Sequence, residues 1–252
     1  MKIYEIVFSP TGGTEKAADI IAGALGENPV KIDLSNKEFK GESLDGAAIA
    51  VIAMPSFGGR APGIAIERLR KLKGNGAKAV AVAVYGNREQ EDTLIEMADT
   101  AKECGFEVIA GITAVAEHSI AHQYAAGRPD QADEISLREF AGKIKEKISS
   151  GKISVPPIPG SRPYKKAGAG LTPKANSNCV KCGICAEKCP VGAIDKNKPE
   201  VTDKSICVNC MRCVAVCPEK ARKVNGFMVA MVGMALKKSC SKNKENRLYI
   251  KE

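Results

Sequence analysis

The chain has 252 residues, ten of them Cys, with two His and no Trp, and a formal net charge of +9. At roughly 100–200 residues per domain, this length accommodates one large domain or two modest ones. A composition with 44% hydrophobic and 27% charged residues excludes long disorder.

The longest strongly apolar stretch, Phe227 to Leu236, is shorter than the ~20 residues a membrane-spanning helix needs. The opening MKIYEIVFSP reads as a strand, with no apolar signal core and no small-residue cleavage site. A cytoplasmic protein is therefore expected, with cysteines used for metal or redox chemistry rather than for disulfides.

Residues 2–146 alternate between apolar runs and longer amphipathic stretches. Strands are predicted at Lys2–Phe8, Val30–Leu34, Ala48–Met54, Ala79–Tyr85 and Glu107–Val115. Helices are predicted between them at Thr14–Leu25, Pro62–Lys73, Gln90–Cys104 and Asp130–Ile148. Runs such as AIAVIAM and AVAVAVY are apolar on both faces, as strands are when helices cover both sides of a sheet. Alternating strands and helices imply βαβ units and a parallel sheet, and five strands in this length suit a small doubly wound α/β fold rather than a barrel.

The pattern dissolves over residues 151–178, a Pro- and Gly-rich connector expected to be partly extended and to lie along a domain surface. Residues 1–150 thus form one expected domain, and residues 179–252 a second. The charge divides in the same place, with a net −4 over residues 1–150 and +13 over residues 151–252. A basic half can serve nucleic-acid binding, but few aromatics are interleaved with its charges, and no nucleic-acid partner is expected.

The second half contains an internal repeat. CVKCGICAEKCP, from Cys179 to Pro190, recurs as CVNCMRCVAVCP, from Cys207 to Pro218, with every cysteine offset by 28 residues. Three cysteines within seven residues wrap one face of a cubane, and the fourth reaches across to a second one as the chain turns at proline. The expected ligand sets are Cys179, Cys182, Cys185 and Cys217 for one [4Fe–4S] cluster, and Cys207, Cys210, Cys213 and Cys189 for the other. Structural zinc is the alternative, but zinc sites pair two C-x2-C knuckles or supply histidine, and neither copy does so. This is the pattern of bacterial two-cluster ferredoxins, which the segment resembles over about 40 residues. Two oxidised cubanes offset about four of the positive charges, and the remainder is suited to an acidic redox partner or is simply a solvated surface. Cys104 and Cys240 fall outside the repeat and are read as unligated thiols. In the tail, GFMVAMVGMALKK is predicted to be a short helix whose Met228, Met231 and Met234 form a core-facing stripe.

In the first half, SPTGGT follows the first strand and leads into the first helix, making an anion site of backbone N–H groups and helix dipole. The loop has neither the lysine of a triphosphatase P-loop nor a GxGxxG fingerprint. It resembles the flavodoxin phosphate loop, which implies that Ser9, Thr11, Gly12, Gly13 and Thr14 hold the phosphate of FMN. PSFGGRAP (Pro55–Pro62) follows the third strand and YGNRE (Tyr85–Glu89) the fourth, where this fold places its ligand loops.

These loops, with EHSIAHQYAAGRPD (Glu117–Asp130), are similar to loops of flavodoxin-like domains fused to ferredoxins. The first departs from that pattern, with Ser56, Phe57 and Ala61 replacing a Val, a Tyr and a larger aliphatic. The resemblance implies FMN contacts at Pro55, Ser56, Phe57, Gly58, Gly59, Tyr85, Gly86, Asn87 and Arg88, with Phe57 or Tyr85 beside the flavin ring. It also implies a peptide in the Gly58–Gly59 loop able to flip toward the flavin, which glycine permits at low cost. Arg60 and Arg88 are either anion contacts or ordinary ion pairs. His118 is the candidate proton donor, against the alternative of a structural histidine.

The whole chain thus resembles a flavodoxin–ferredoxin fusion. That implies electron transfer among FMN, two [4Fe–4S] clusters and redox partner proteins, typically in anaerobes. The alternative is a ferredoxin-fed flavoenzyme that reduces a small organic substrate at the FMN. A homodimer is compatible with either reading.

Overall fold

The computed structural model describes residues 1–168 and 170–251. In chain order the elements are β1 (Ile3–Val7), α1 (Gly13–Leu25), β2 (Val30–Asp33), β3 (Glu42–Ser43), β4 (Ile49–Pro55), α2 (Gly63–Leu69), β5 (Leu72–Lys73), β6 (Lys78–Tyr85), α3 (Thr93–Glu103), β7 (Glu107–Val115) and α4 (Gln131–Ser149). They are followed by β8 (Lys174–Ala175), α5 (Ile184–Glu187), α6 (Arg212–Ala215), β9 (Arg222–Lys223), α7 (Gly226–Leu236) and β10 (Arg247–Tyr249).

The main sheet runs β10-β7-β6-β4-β1-β2. Its five parallel strands follow the flavodoxin-like doubly wound order, with the order reversing between β1 and β4. The near-continuous apolar runs bury side chains on both faces. On one face Ile6, Ile52, Met54 and Ala81 pack against Leu69 of α2 and Leu94 and Met97 of α3. On the other, Ile3, Val51 and Val82 pack against Ile21 of α1 and Leu137 and Ile144 of α4. The predicted second helix ends earlier than expected, because the chain leaves α2 after Leu69 and pairs Leu72–Lys73 with Glu42–Ser43.

Two parts of the C-terminal half differ from expectation. The tail does not stay with the cysteine-rich segment. It returns to the first domain, where β10 adds a sixth, antiparallel strand at the β7 edge. Helix α7 does not turn its methionines inward, for Met228, Met231 and Met234 are all exposed. The connector lies along the first domain as expected. Asp92 accepts the backbone N–H groups of Ser161 and Lys165 at 2.8 and 2.7 Å, Asp99 pairs with Arg162 and accepts the Tyr164 hydroxyl, and Ile158 packs on the core.

The cysteine-rich segment has little apolar core of its own. Its buried cluster is Cys185, Ala186 and Ile194, with Cys213 against it. It is joined to the first domain by a buried guanidinium: Arg68 of α2 donates to the carbonyl of Leu34 and to that of Pro190, each at 2.7 Å. No helix among the described residues is long and apolar enough to cross a membrane.

Candidate functional site

Parallel strands direct their carboxyl ends, and the loops that follow them, to one edge of the sheet. Four such loops surround a cavity of about 340 Å³, within the range typical of cofactor pockets. Thr11 comes from the loop after β1, Gly13 and Thr14 from the first turn of α1, and Pro55 to Gly58 from β4 and the loop after it. Tyr85, Gly86 and Arg88 come from β6 and its loop, and Glu117 to Ile120 from the loop after β7. The remaining wall belongs to the C-terminal half: Gly168, Gly170 and Leu171 of the connector, Val208 and Asn209 from between Cys207 and Cys210, and Val232 and Leu236 of α7.

At the first loop, Gly12 adopts a left-handed φ of 93° and α1 begins without a side-chain cap. Its exposed N–H groups and helix dipole are therefore available to an anion. Ser9 closes the loop instead. Its Oγ accepts the Glu15 N–H at 2.9 Å, and its own N–H donates to Ser35 Oγ. Ser9, Gly12, Gly59 and Asn87 lie outside the cavity wall, whereas the other ten FMN-contact residues expected from the sequence line it.

Gly58 is needed for a close approach. With φ at 60°, a Cβ there would lie 2.3 Å from the Gly168 nitrogen, and the Gly58 carbonyl accepts the Gly168 N–H at 3.2 Å. The arginines next to these loops are already engaged. Arg60 holds Glu96 through two nitrogens and stacks over Tyr164, and Arg88 pairs with Glu91.

Asn87 serves the tail. Its buried amide donates to the carbonyls of Cys240 and Lys242 and accepts the Lys244 N–H at 2.9 Å. Arg128, which is paired with Asp133, donates to the Lys244 carbonyl, and Asn246 bonds Asp133, Ser136 and the Val115 N–H. This latch holds α7 against the cavity, and Tyr124 adds a 2.6 Å bond from its hydroxyl to the Gly233 carbonyl.

His118 sits in the wall against Gly86, where an added Cβ would meet its atoms at 2.7–2.8 Å. Its Nδ1 accepts the N–H groups of Ile120 and Ala121 at 3.2 and 3.1 Å. That bonding assigns the proton of the neutral ring to Nε2. Burial, with His122 and Arg88 nearby, holds His118 below its ordinary value. The two bonds to Nδ1 hold the ring in a fixed orientation in the cavity wall.

The cysteines gather in the sets expected from the sequence. Cys179, Cys182, Cys185 and Cys217 line one hollow, and Cys189, Cys207, Cys210 and Cys213 line another. Each fourth cysteine has crossed to the opposite copy. Two of the sulfurs already accept backbone N–H groups, Cys189 from Ala193 and Cys217 from Ala221, both at 3.3 Å. Among the described residues no three His, Cys, Asp or Glu side chains converge as a single bound ion requires. The chemistry of the donors, four thiols around each hollow, fits a cubane. Cys104 and Cys240 lie outside both sets, and burial raises both thiols.

Comparison with known proteins finds one family model and several solved structures. Residues 178–221 match the family model of the 4Fe-4S dicluster domain. No curated protein matches the sequence. Among solved structures, a flavodoxin from Streptococcus pneumoniae TIGR4 is 23% identical, covering 57% of this chain and 99% of its own, at a TM-score of 0.41. Oxidised flavodoxin 2 from Bacillus cereus is 19% identical over 58% and 99% of the two chains, at 0.43. A Fusobacterium nucleatum flavodoxin bound to flavin mononucleotide is 16% identical over 58% and 99%, at 0.39. The fold assignment rests on the strand order rather than on these likenesses. The chain joins a flavodoxin-like α/β domain to a 4Fe-4S ferredoxin-type domain, and its role is electron transfer or related redox chemistry.

Proposed function

We propose that the interdomain cavity holds FMN, that each cysteine set holds one [4Fe–4S] cluster, and that the protein relays electrons between them and separate redox proteins. One observation carries this reading: the loop between Cys207 and Cys210 forms part of the wall of the cavity that the flavin-type loops enclose. FMN supplies two-electron chemistry that divides into single-electron steps, matching the one-electron capacity of each cluster.

Thr11, Gly13 and Thr14 at the uncapped start of α1 hold the phosphate. Phe57 and Tyr85 flank the ring, and His118 offers its Nε2 proton as a fixed donor. Ser9, Gly12, Gly59 and Asn87 act at one remove, shaping the loops and holding the tail. The Cys189, Cys207, Cys210 and Cys213 set is the inner one, beside the flavin. The other set is the outer port, since Cys182 is exposed and the neighbouring Val180 is 63% exposed. Residues 1–150 are the flavin domain and 151–178 the connector. Residues 179–252 are the cluster domain, with its last strand lent to the flavin sheet.

The test is anaerobic loading of the full chain followed by flavin and metal analysis. One flavin and two four-iron clusters per chain are expected, with Gly13→Val depleting flavin and leaving iron intact. Zinc in place of iron, or no flavin retained, overturns the reading.

A second reading is favoured by the cover over the cavity: α7 and the connector shield it, as a flavoenzyme acting on a small organic substrate requires. In that case His118→Ala abolishes substrate turnover with both cofactors retained, and unchanged turnover removes the role of His118.

A further inference from the structure

Helix α7, GFMVAMVGMAL, contains no polar side chain. Its inner side is occupied: Gly233 packs on the Gln123 amide and bonds Tyr124, while Val232 and Leu236 line the cavity. Its outer side is bare. Phe227 is 73% exposed and Met234 63%, with Met231 and Met228 at 46% and 43%. Phe227, Met231 and Met234 stand at i, i+4 and i+7 on one stripe, and the exposed Lys238 follows four residues after Met234, next to the exposed Lys237. Lys237 and Lys238 are the exposed charges adjoining this stripe in the chain, whereas Arg222 is buried against Pro199 and Thr202 and Lys244 pairs with Glu89. Residues 220–244 hold seven Lys and Arg and no Asp or Glu, whereas residues 179–218 hold six against four.

We infer that the outer face of α7 is an interfacial anchor for an anionic lipid surface. Phe227 and the methionines enter the boundary between headgroups and acyl chains, and the flanking lysines meet the lipid phosphates. With 11 residues the helix is about 17 Å long, too short for the ~30 Å hydrocarbon core, so it lies in the plane of the interface.

Two other occupants fit less well. The four bare side chains offer roughly 400–500 Å², well below the ~800 Å² per partner of a stable protein interface. A second copy also brings the same lysines, and an acidic redox protein finds no side-chain donor or acceptor along the helix, where protein interfaces carry hydrogen bonds. This placement does not depend on which cofactors are bound. It sets the interdomain cavity about one helix diameter, ~10 Å, from the lipid surface.

The experiment is co-sedimentation of the loaded full chain with vesicles of equimolar phosphatidylglycerol and phosphatidylcholine, against vesicles of phosphatidylcholine alone. Binding to the anionic vesicles is expected, weakening as salt rises. Phe227→Glu with Met231→Glu, and separately Lys237→Gln with Lys238→Gln, lower it about tenfold or more while flavin and cluster absorbance stay unchanged. Absence of anionic-vesicle binding, or binding indifferent to Phe227→Glu with Met231→Glu, overturns the inference. So does a dimer in sedimentation velocity that those glutamates split, which assigns the face to a second copy instead.

Discussion

The guanidinium of Arg68, on a helix of the flavodoxin-like domain, donates at 2.7 Å to the carbonyl of Pro190, the proline that turns the chain after Cys189. Arg68 is 5% exposed, and its other bond, to the Leu34 carbonyl, lies wholly within the first domain. One buried side chain therefore fixes the inner cysteine set relative to the sheet. Removing it leaves two buried carbonyls unsatisfied, at a cost of about 1–3 kcal/mol each. Arg68→Ala is expected to lower the melting temperature of the loaded protein by roughly 4–24 °C. An unchanged melting temperature contradicts the role given to this contact.

Asn87 is a second joint between the halves. Its side chain satisfies three backbone groups of the tail while its own backbone sits at a φ of 61°. Asn87→Ala is expected to accelerate amide hydrogen exchange over residues 240–249 and to loosen α7, with exchange in β1 and β4 unaffected. Full retention of protection in the tail contradicts the latch.

A pH dependence follows from Glu5. It lies in β1 on the face covered by α1, and burial together with Asp19 raises its carboxyl from the ordinary 4.5 to about 7, against the opposing pull of Lys31. A carboxyl whose folded pKa is raised binds its proton more tightly in the native state. That contribution is complete below about 4.5 and is lost as pH rises through about 7. Glu5→Gln, which keeps the neutral form, is expected to match wild type in melting temperature in acid and to exceed it progressively up to pH 8. A constant difference across the range contradicts the assignment.

The two halves differ in what supports them. The sheet domain has apolar layers on both faces, whereas the cysteine-rich segment has a buried cluster of three residues. A segment of this size with so small a core depends on its metal ligation. Removing iron with ferricyanide and chelator is expected to release amide protection over residues 176–223 while β4, β6 and α3 stay protected. A cysteine-rich segment that stays protected without iron contradicts the dependence.

The sequence was most informative where a short-range rule operates. The strands Ala48–Met54 and Ala79–Tyr85 are legible because buried parallel strands are continuously apolar, and the cysteine sets are legible because their spacing is set by the ligand geometry. Asn87 reads as a flavin contact because its motif sits where flavin loops sit, but its partners lie more than 150 residues further along. Arg68 gave no signal, since a buried arginine in a helix looks like any solvated one until its carbonyl partners are folded against it. The Met stripe reads as core because apolar helical spacing usually faces inward, but spacing alone does not show which face is covered. The signal available for the tail was the period-two run ending in LYI, too short to outweigh its polar surroundings.

The contact between the interdomain cavity and the loop from Cys207 to Cys210 is tested most directly by flash photoreduction of the flavin in the loaded full chain. Flavin reoxidation and cluster bleaching would be followed together at several protein concentrations. The expected result is a single transfer whose rate does not change with protein concentration, because donor and acceptor sites adjoin within one chain, across the loop between Cys207 and Cys210. A rate that rises in proportion to concentration, or flavin reoxidation without cluster bleaching, would contradict the account.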